Sequence, residues 1–288
     1  MRRLSYVHVD VFAEAPFGGN PLCVFLDGSS LSAAEMQAIA LELNHSETTF
    51  LLAPERGGAA KVRIFTPAVE IPFAGHPVLG TAFVVAVERA LGDEVKLELN
   101  DFDVTCALGG GDAGRFVWMT QKPAEHGQVV ADVDRIARAL GIGRGDIAGP
   151  ARVWSTGLPF LFVPLTGQIP MSRIRPNLQV LIDLLHEAGA KGLYAVTRET
   201  SRASASVRAR CFPVGVGVAE DAATGSAAGA LSGFLLEAGW VKPGRVEIEQ
   251  GLELGRPSAI SVEVAEAGRP IRVGGRVIPI GRGEILLR

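Results

Sequence analysis

The chain has little cysteine. Cys23, Cys106 and Cys211 are the only three in 288 residues, and they lie far apart. None forms a CxxC pair, so neither a thiolate zinc cage nor a disulfide framework is expected. A low, odd count fits a reducing cytoplasm. Long apolar runs are also missing. No stretch reaches the roughly 18 residues that a membrane span needs, and Met1-Arg2-Arg3-Leu4 leads straight into the alternating residues Tyr6 to Phe12, which predicts a strand and not a secretion signal. Nor is there a charge excess. Lys and Arg number 28 against 31 Asp and Glu, a net charge of −3, so nucleic acid and membrane surfaces are not expected partners. The histidines (His8, His45, His76, His126, His186) show no metal-ligand spacing. There is no P-loop, HExxH or GxSxG, so no metal and no cofactor is expected. What the chain does have is apolar residues, 48% of the total, enough for two packed cores in a chain of this length.

Strand-like segments dominate. Residues 6–12, 22–26, 48–52, 61–65, 95–99 and 115–119 are bounded by turn-forming residues, as are 160–163, 193–197, 206–212, 245–249, 260–264 and 277–280. Helices are fewer. Ser32 and Glu35 form a capping box ahead of Met36, Ile39, Ala40 and Leu43, with Asn44 as the stop. Asp134 to Leu140 and Leu178 to Ala188 are amphipathic. Two more helices, 77–91 opened by Pro77 and 226–238 opened by Ser226, are apolar around most of their circumference. A helix of that kind belongs inside a core.

The two halves read as copies. Arg63-Ile64-Phe65-Thr66-Pro67, Glu70 and Gly75-His76-Pro77 correspond to Arg210-Cys211-Phe212-Pro213, Glu220-Asp221 and Gly225-Ser226-Ala227. Gly75 and Gly225 lie 150 residues apart, about half the chain. This is a duplicated domain and not a solenoid. The expected domains are residues 1–122, built on helix 77–91, and 123–288, built on helix 226–238, with the last strand free to pair with the first domain.

Each buried helix starts just after a glycine. Its free amides and its dipole make a site for a carboxylate or phosphate, although Gly75 and Gly225 also suit tight turns. Polar residues gather there: His76 and Ser226 at equivalent places, Asp221 five residues before Ser226, and Glu47 between a helix end and an apolar strand. Partial burial would raise the Glu47 pKa towards neutrality, which suits proton transfer. Each residue also has a plainer reading: Glu47 as an exposed loop carboxylate, His76 as a core histidine, Asp221 and Ser226 as helix caps. Gly109 to Gly114 matches GxGxxG but opens no helix, so it reads as a hairpin turn. Arg202, Arg208 and Arg210 read as a solvated strand face.

These motifs resemble the PhzF-like phenazine-biosynthesis family along nearly the whole chain. The likeness runs through Asp10-Val11-Phe12, Gly19-Asn20-Pro21, Ser46-Glu47-Thr48-Thr49-Phe50, Pro72 to Pro77, Glu220 to Ala228, Gln250-Gly251, Gly255 to Ser258 and Gly281-Arg282-Gly283. The resemblance implies an α+β, diaminopimelate epimerase-like fold. It has two pseudo-symmetric domains, each a curved sheet or barrel around a central helix, with the active site in the cleft between them. It also implies a cofactor-independent, cytoplasmic, homodimeric isomerase that moves a proton on trans-2,3-dihydro-3-hydroxyanthranilate or a related small anionic substrate. Glu47, His76 and Asp221 would be catalytic, and Gly75, His76, Gly225 and Ser226 would bind substrate. The related two-cysteine racemases would carry their thiols near Ala74 and Thr224, where this chain has none. An isomerase or epimerase of another metabolite, or a non-catalytic binding protein of the same fold, is the alternative. His45, before Ser46, departs from the small or apolar residue expected there.

Overall fold

The computed structural model describes residues 1–109, 115–266 and 268–287. The chain divides into two units, Met1–Thr120 with Gly274–Arg288, and Gln121–Val273. The sequence boundary after residue 122 thus moves to residue 120, and the end of the chain belongs to the first unit. Most of the GxGxxG segment, residues 110–114, lies outside the described residues.

The first unit contains β1 (Arg2–Val11), β2 (Asn20–Phe25), α1 (Ala33–Leu43), β3 (Glu47–Leu52), β4 (Ala60–Phe65), β5 (Glu70–Ile71), α2 (Gly75–Glu88), β6 (Glu94–Glu98), β7 (Asp103–Gly109) and β8 (Phe116–Gln121). The second contains β9 (Glu125–Val130), α3 (Val133–Leu140), β10 (Ala151–Ser155), β11 (Pro159–Pro164), α4 (Gln168–Arg173), α5 (Leu178–Ala188), β12 (Gly192–Thr197), β13 (Val207–Phe212), α6 (Gly225–Glu237), β14 (Gly244–Gln250) and β15 (Ser258–Val264). The last strand, β16 (Ile271–Leu287), starts in the second unit and continues in the first. In the first unit the order β1-β2-β3-β4-β6-β7-β8 is closed by β16, which pairs with β8 and with β1 from Arg2↔Leu287 to Val11↔Val277. The result is a closed eight-stranded barrel.

The repeat read from sequence is present in the strand pairing. From β1 to β7 the pairs run antiparallel, parallel, antiparallel, parallel, antiparallel. From β10 to β15 the same alternation recurs. In each unit one amphipathic helix, α1 or α5, makes the first parallel crossover, and one all-apolar helix, α2 or α6, makes the second. Each copy also fixes the segment before its buried helix with a two-pronged ion pair. Arg63 Nε and Nη2 reach Glu70 at 2.8 and 2.7 Å, and Arg210 Nε and Nη2 reach Glu220 at 2.7 and 2.8 Å. Arg63 holds the Glu70 carboxyl below its usual range. Arg208 and Arg210 are therefore not a solvated face. Both are buried, and Arg210 also donates to the carbonyls of Met171 and Ile174, closing α4.

Helix α2 is buried from Gly75 to Ala86, and α6 from Gly225 to Leu235. An enclosed helix needs small residues where strands come close. Val9 and Val11 of β1 and Leu22 of β2 meet α2 at Gly80, where a Cβ would stand 2.6 Å from Leu22 Cδ2. On α6, a Cβ on Gly233 would stand 2.4 Å from the Trp154 ring. Both helices start two or one residues earlier than expected. Pro77 is the third helical residue of α2, which is tolerated because the first four N–H groups have no intrahelical partner anyway. Helix α2 stops at Glu88, short of residue 91, because Ala90 turns left-handed (φ 50°) and Leu91 N–H closes on the Ala86 carbonyl. Outside the barrel, α1 lays Met36, Ile39 and Ala40 over Phe25, Phe50 and Phe65, with Ser32 and Glu35 forming the expected capping box.

The contact at Gly233 gives a stability prediction. Gly233→Ala gains helix propensity but drives a methyl into a rigid indole, so it should destabilise by about 1–3 kcal/mol. Gly92→Ala, with nothing within 4 Å of its added Cβ, should stay within about 0.5 kcal/mol of the parent. Urea denaturation of the two variants checks this, and equal midpoints would refute the packing argument.

Candidate active site

In the first unit the parallel pairing of β2 and β3 brings their N-terminal ends side by side, with Leu22 opposite Glu47. The start of α2 joins them. Glu47 is 8% exposed and His76 2% exposed, so Glu47 is not a solvated loop carboxylate. Their side chains approach with His76 Nε2 3.5 Å from Glu47 Oε2. That is longer than a good hydrogen bond.

Two residues not picked out as site residues by sequence orient this pair. Ser46 Oγ donates to Asn20 Oδ1 at 2.9 Å, and Asn20 Nδ2 lies 3.1 Å from His76 Nδ1. Because the Asn20 oxygen is occupied by Ser46, its NH2 faces the ring. Nδ1 must then accept, which leaves the ring proton on Nε2, the side of Glu47. Burial above all, and the charge of His45, push the His76 pKa down to about 3. The imidazole is therefore neutral at cellular pH and forms no ion pair. Asn20 is reached through a turn that only glycine can make: Gly19 has φ 64°, and a Cβ there would lie 2.3 Å from the Val11 carbonyl. Gly19-Asn20 ahead of a strand was the signal that could have marked Asn20.

In the second unit, Asp221 and Thr224 are held by Gln250, which is wholly buried. Gln250 Oε1 accepts from Tyr194 Oη at 2.9 Å and from Thr224 N–H at 3.2 Å. Its Nε2 donates to the Asp221 carbonyl at 2.8 Å and to Thr224 Oγ1 at 3.0 Å. Thr224 Oγ1 in turn donates to Asp221 Oδ2 at 2.6 Å. Burial, with the charges of Cys211 and Asp221, raises the Tyr194 hydroxyl well above its usual value, so it remains a donor. Ser258 Oγ donates to the Ala222 carbonyl. These bonds explain the Gln250-Gly251 and Arg256-Pro257-Ser258 motifs, which sequence reading left without a role.

Neither Asp221 nor Ser226 is the helix cap. The cap of α6 is Thr224, whose hydroxyl serves Asp221 and makes no cap bond, and Ser226 is the second helical residue. Ala74, the cap of α2, has no side-chain donor or acceptor to offer. The first-turn amides of both helices, at Gly75 and His76 and at Gly225 and Ser226, thus lack side-chain caps, the arrangement that suits a bound anion. The two cap positions are also where the thiols of a two-cysteine racemase would fall. All three cysteines are free, buried and elsewhere. His8, Cys23 and His45, which show no metal-ligand spacing in sequence, have their ligand atoms within 4.8 Å of one another in the fold. Their wide spacing in sequence concealed this.

A sequence profile of the family described as phenazine biosynthesis-like protein, PhzC-PhzF, matches residues 9–283. A trans-2,3-dihydro-3-hydroxyanthranilate isomerase from Pseudomonas fluorescens is 36% identical over 98% of this chain and 99% of its own. The enzyme of that name from Pseudomonas chlororaphis is 37% identical over 98% and 99%. Among solved structures, a Bacillus anthracis phenazine biosynthesis protein of the PhzF family superposes with a TM-score of 0.89 at 25% identity, over the full length of both chains. A Pseudomonas aeruginosa protein described as a predicted epimerase gives 0.86 at 37% identity, over 99% and 100%. A probable proline racemase from Agrobacterium radiobacter, 13% identical with a TM-score of 0.70 over 99% of this chain and 93% of its own, shares the fold alone. The fold is the diaminopimelate epimerase-like one, and the chain is an isomerase that belongs to the phenazine biosynthesis-like, PhzC-PhzF, family.

Proposed function

We propose that this isomerase acts on trans-2,3-dihydro-3-hydroxyanthranilate, the compound in the names of its Pseudomonas relatives, or on a related amino acid-like carboxylate, with Glu47 as the acid/base. The observation that carries this reading is the buried Glu47 carboxylate 3.5 Å from the buried His76 ring. Glu47 takes a proton from C3 of the substrate, becomes a carboxylic acid whose proton exchanges with solvent, and delivers a proton to C1. One C–H bond breaks and another forms, the oxidation level is unchanged, and the carboxylate is regenerated. A neutral imidazole donates a hydrogen bond without the full positive charge that would quench a carboxylate base. Asn20 and Ser46 keep the ring in that tautomer.

The uncapped amides at Gly75, His76, Gly225 and Ser226 support a role in holding the substrate's carboxylate. Asp221, oriented by Thr224, is the further catalytic carboxylate and faces the substrate's amine. Ala74 and Thr224 at the two helix caps weigh against two-thiol racemisation. Three reduced, buried cysteines suit a cytoplasmic enzyme. The homodimer belongs to the same reading.

Four expected outcomes follow. Incubated with substrate in deuterium oxide, native enzyme should place solvent deuterium at the receiving carbon, and Glu47→Gln should do so at least about 100-fold more slowly. Equal incorporation would remove Glu47 from the mechanism, and tight substrate binding with no exchange by native protein would favour a binding protein. Nitrogen-15 NMR of His76 should show the neutral, Nε2-protonated ring throughout the range around 6.5 where a free imidazole titrates. A titration there would overturn the tautomer argument. By linkage, His76 should cost stability only as pH falls from about 6.5 towards 3, where the unfolded chain binds a proton that the folded site refuses. Light scattering should give twice the chain mass of 30.3 kDa; a single-chain mass would refute the dimer.

A further inference from the structure

We propose that His8, Cys23 and His45 form a binding site for one zinc-class divalent ion, distinct from the residues assigned to proton transfer. The three side chains come from β1, from β2 and from the turn between α1 and β3. His8 and Cys23 are directly opposed in the antiparallel β1–β2 ladder, so they project from the same face. The β1–β16 pairing shifts register between His8 and Val9, an irregularity of the kind that re-aims a side chain. His45 follows Asn44, whose left-handed conformation (φ 51°) ends α1 and folds the chain back over the sheet. There its ring stacks on that of His8, with centroids 5.2 Å apart and planes 28° apart.

The donor set is chemically selective. Two imidazoles and one thiolate suit zinc and its borderline-soft neighbours, and they disfavour magnesium and calcium, which require oxygen. The ligand atoms lie within 4.8 Å of one another. Tetrahedral zinc, with bonds of about 2.0–2.3 Å, places its ligand atoms about 3.5 Å apart. Closing the cluster therefore requires movements of about 1 Å, within reach of side-chain rotation. Cys23 is buried while His8 and His45 are half-exposed, so one side of the cluster is anchored and the other admits an ion. The fourth position is left for water, as in zinc sites with three protein ligands. On binding, the Cys23 S–H bond breaks, the sulfur–metal bond forms, and the proton leaves to solvent.

The site stands apart from Glu47. In the β2–β3 ladder Glu47 is opposite Leu22 and Thr48 is opposite Cys23. Side chains alternate between faces, so Glu47 shares the α2 face with Leu22, whereas Cys23 lies on the face covered by α1. The three proposed ligands are thus not the proton-transfer residues, and His45 adjoins that site through its charge, which acts on the His76 pKa.

The test uses the full chain and metal alone. Cobalt(II), a spectroscopic stand-in for zinc, should bind one ion per chain with tetrahedral d–d bands and a thiolate-to-cobalt charge-transfer band, and zinc should displace it. Cys23→Ala should abolish the charge-transfer band, and His45→Leu should weaken binding at least about tenfold. Circular dichroism checks that each variant is folded. If Cys23→Ala does not fold, His45→Leu and His8→Val give the same reading through affinity and the d–d bands. Absence of stoichiometric binding, an octahedral cobalt spectrum, or unchanged affinity in folded variants would overturn the proposal, whatever the outcome for Glu47.

Discussion

Enclosing a helix on every side is the constraint from which most of this structure follows. Helices α2 and α6 have no solvated face, so sequence must supply apolar residues around the whole circumference and small ones where strands press closest. Gly80 meets Leu22 and Val11, Gly229 meets Gln121, and Gly233 meets Trp154. The same enclosure sets the chemistry at the helix starts. Amides there are buried with no capping side chain, and carboxylates and imidazoles placed beside them are buried too. His76 is neutral because it is the second residue of such a helix. A surface histidine in the same sequence context would titrate near neutrality and would be a different partner for Glu47.

The second recurring device is a polar hub that fixes loops without exposing them. Gln250 ties Tyr194, Asp221 and Thr224 into one network, and Asn20 ties Ser46 to His76. Each amide has both its oxygen and its nitrogen engaged, so neither can flip without losing a bond. That is why the orientation of His76, and of the segment before α6, is determined by residues that carry no charge and attract little notice in a sequence.

Much of the fold was legible in sequence because its signals are local. The Ser32–Glu35 box, the limits of α5 and the all-apolar character of α2 and α6 can be read within a dozen residues. The repeat was legible from two short motifs 150 residues apart. The misses arise where the deciding contact is distant. Strand β9 is almost wholly exposed and ends the strand order of its unit, so it has no apolar alternation to betray it. Arg208 and Arg210 read as surface charges because their acidic partners, Glu253 and Glu220, are brought to them only by folding. His8 and Cys23, distant in sequence, become neighbours through ladder register, and the turn after α1 brings His45 to them. The fold brings Glu47 and His76, both named from sequence, to 3.5 Å of one another, and it adds Asn20, which sequence did not name as a site residue, beside the His76 ring.

The path of β16 has a consequence for how this protein is made. The barrel of the first unit is closed by residues that follow the entire second unit in the chain. On a ribosome, the strands β1 to β8 emerge early but must wait with β1 and β8 unpaired at their outer edges while some 150 further residues are synthesised. Through that interval the open edges are exposed to neighbouring chains. Because β16 is made last, the barrel of the first unit closes only after the whole second unit has been synthesised.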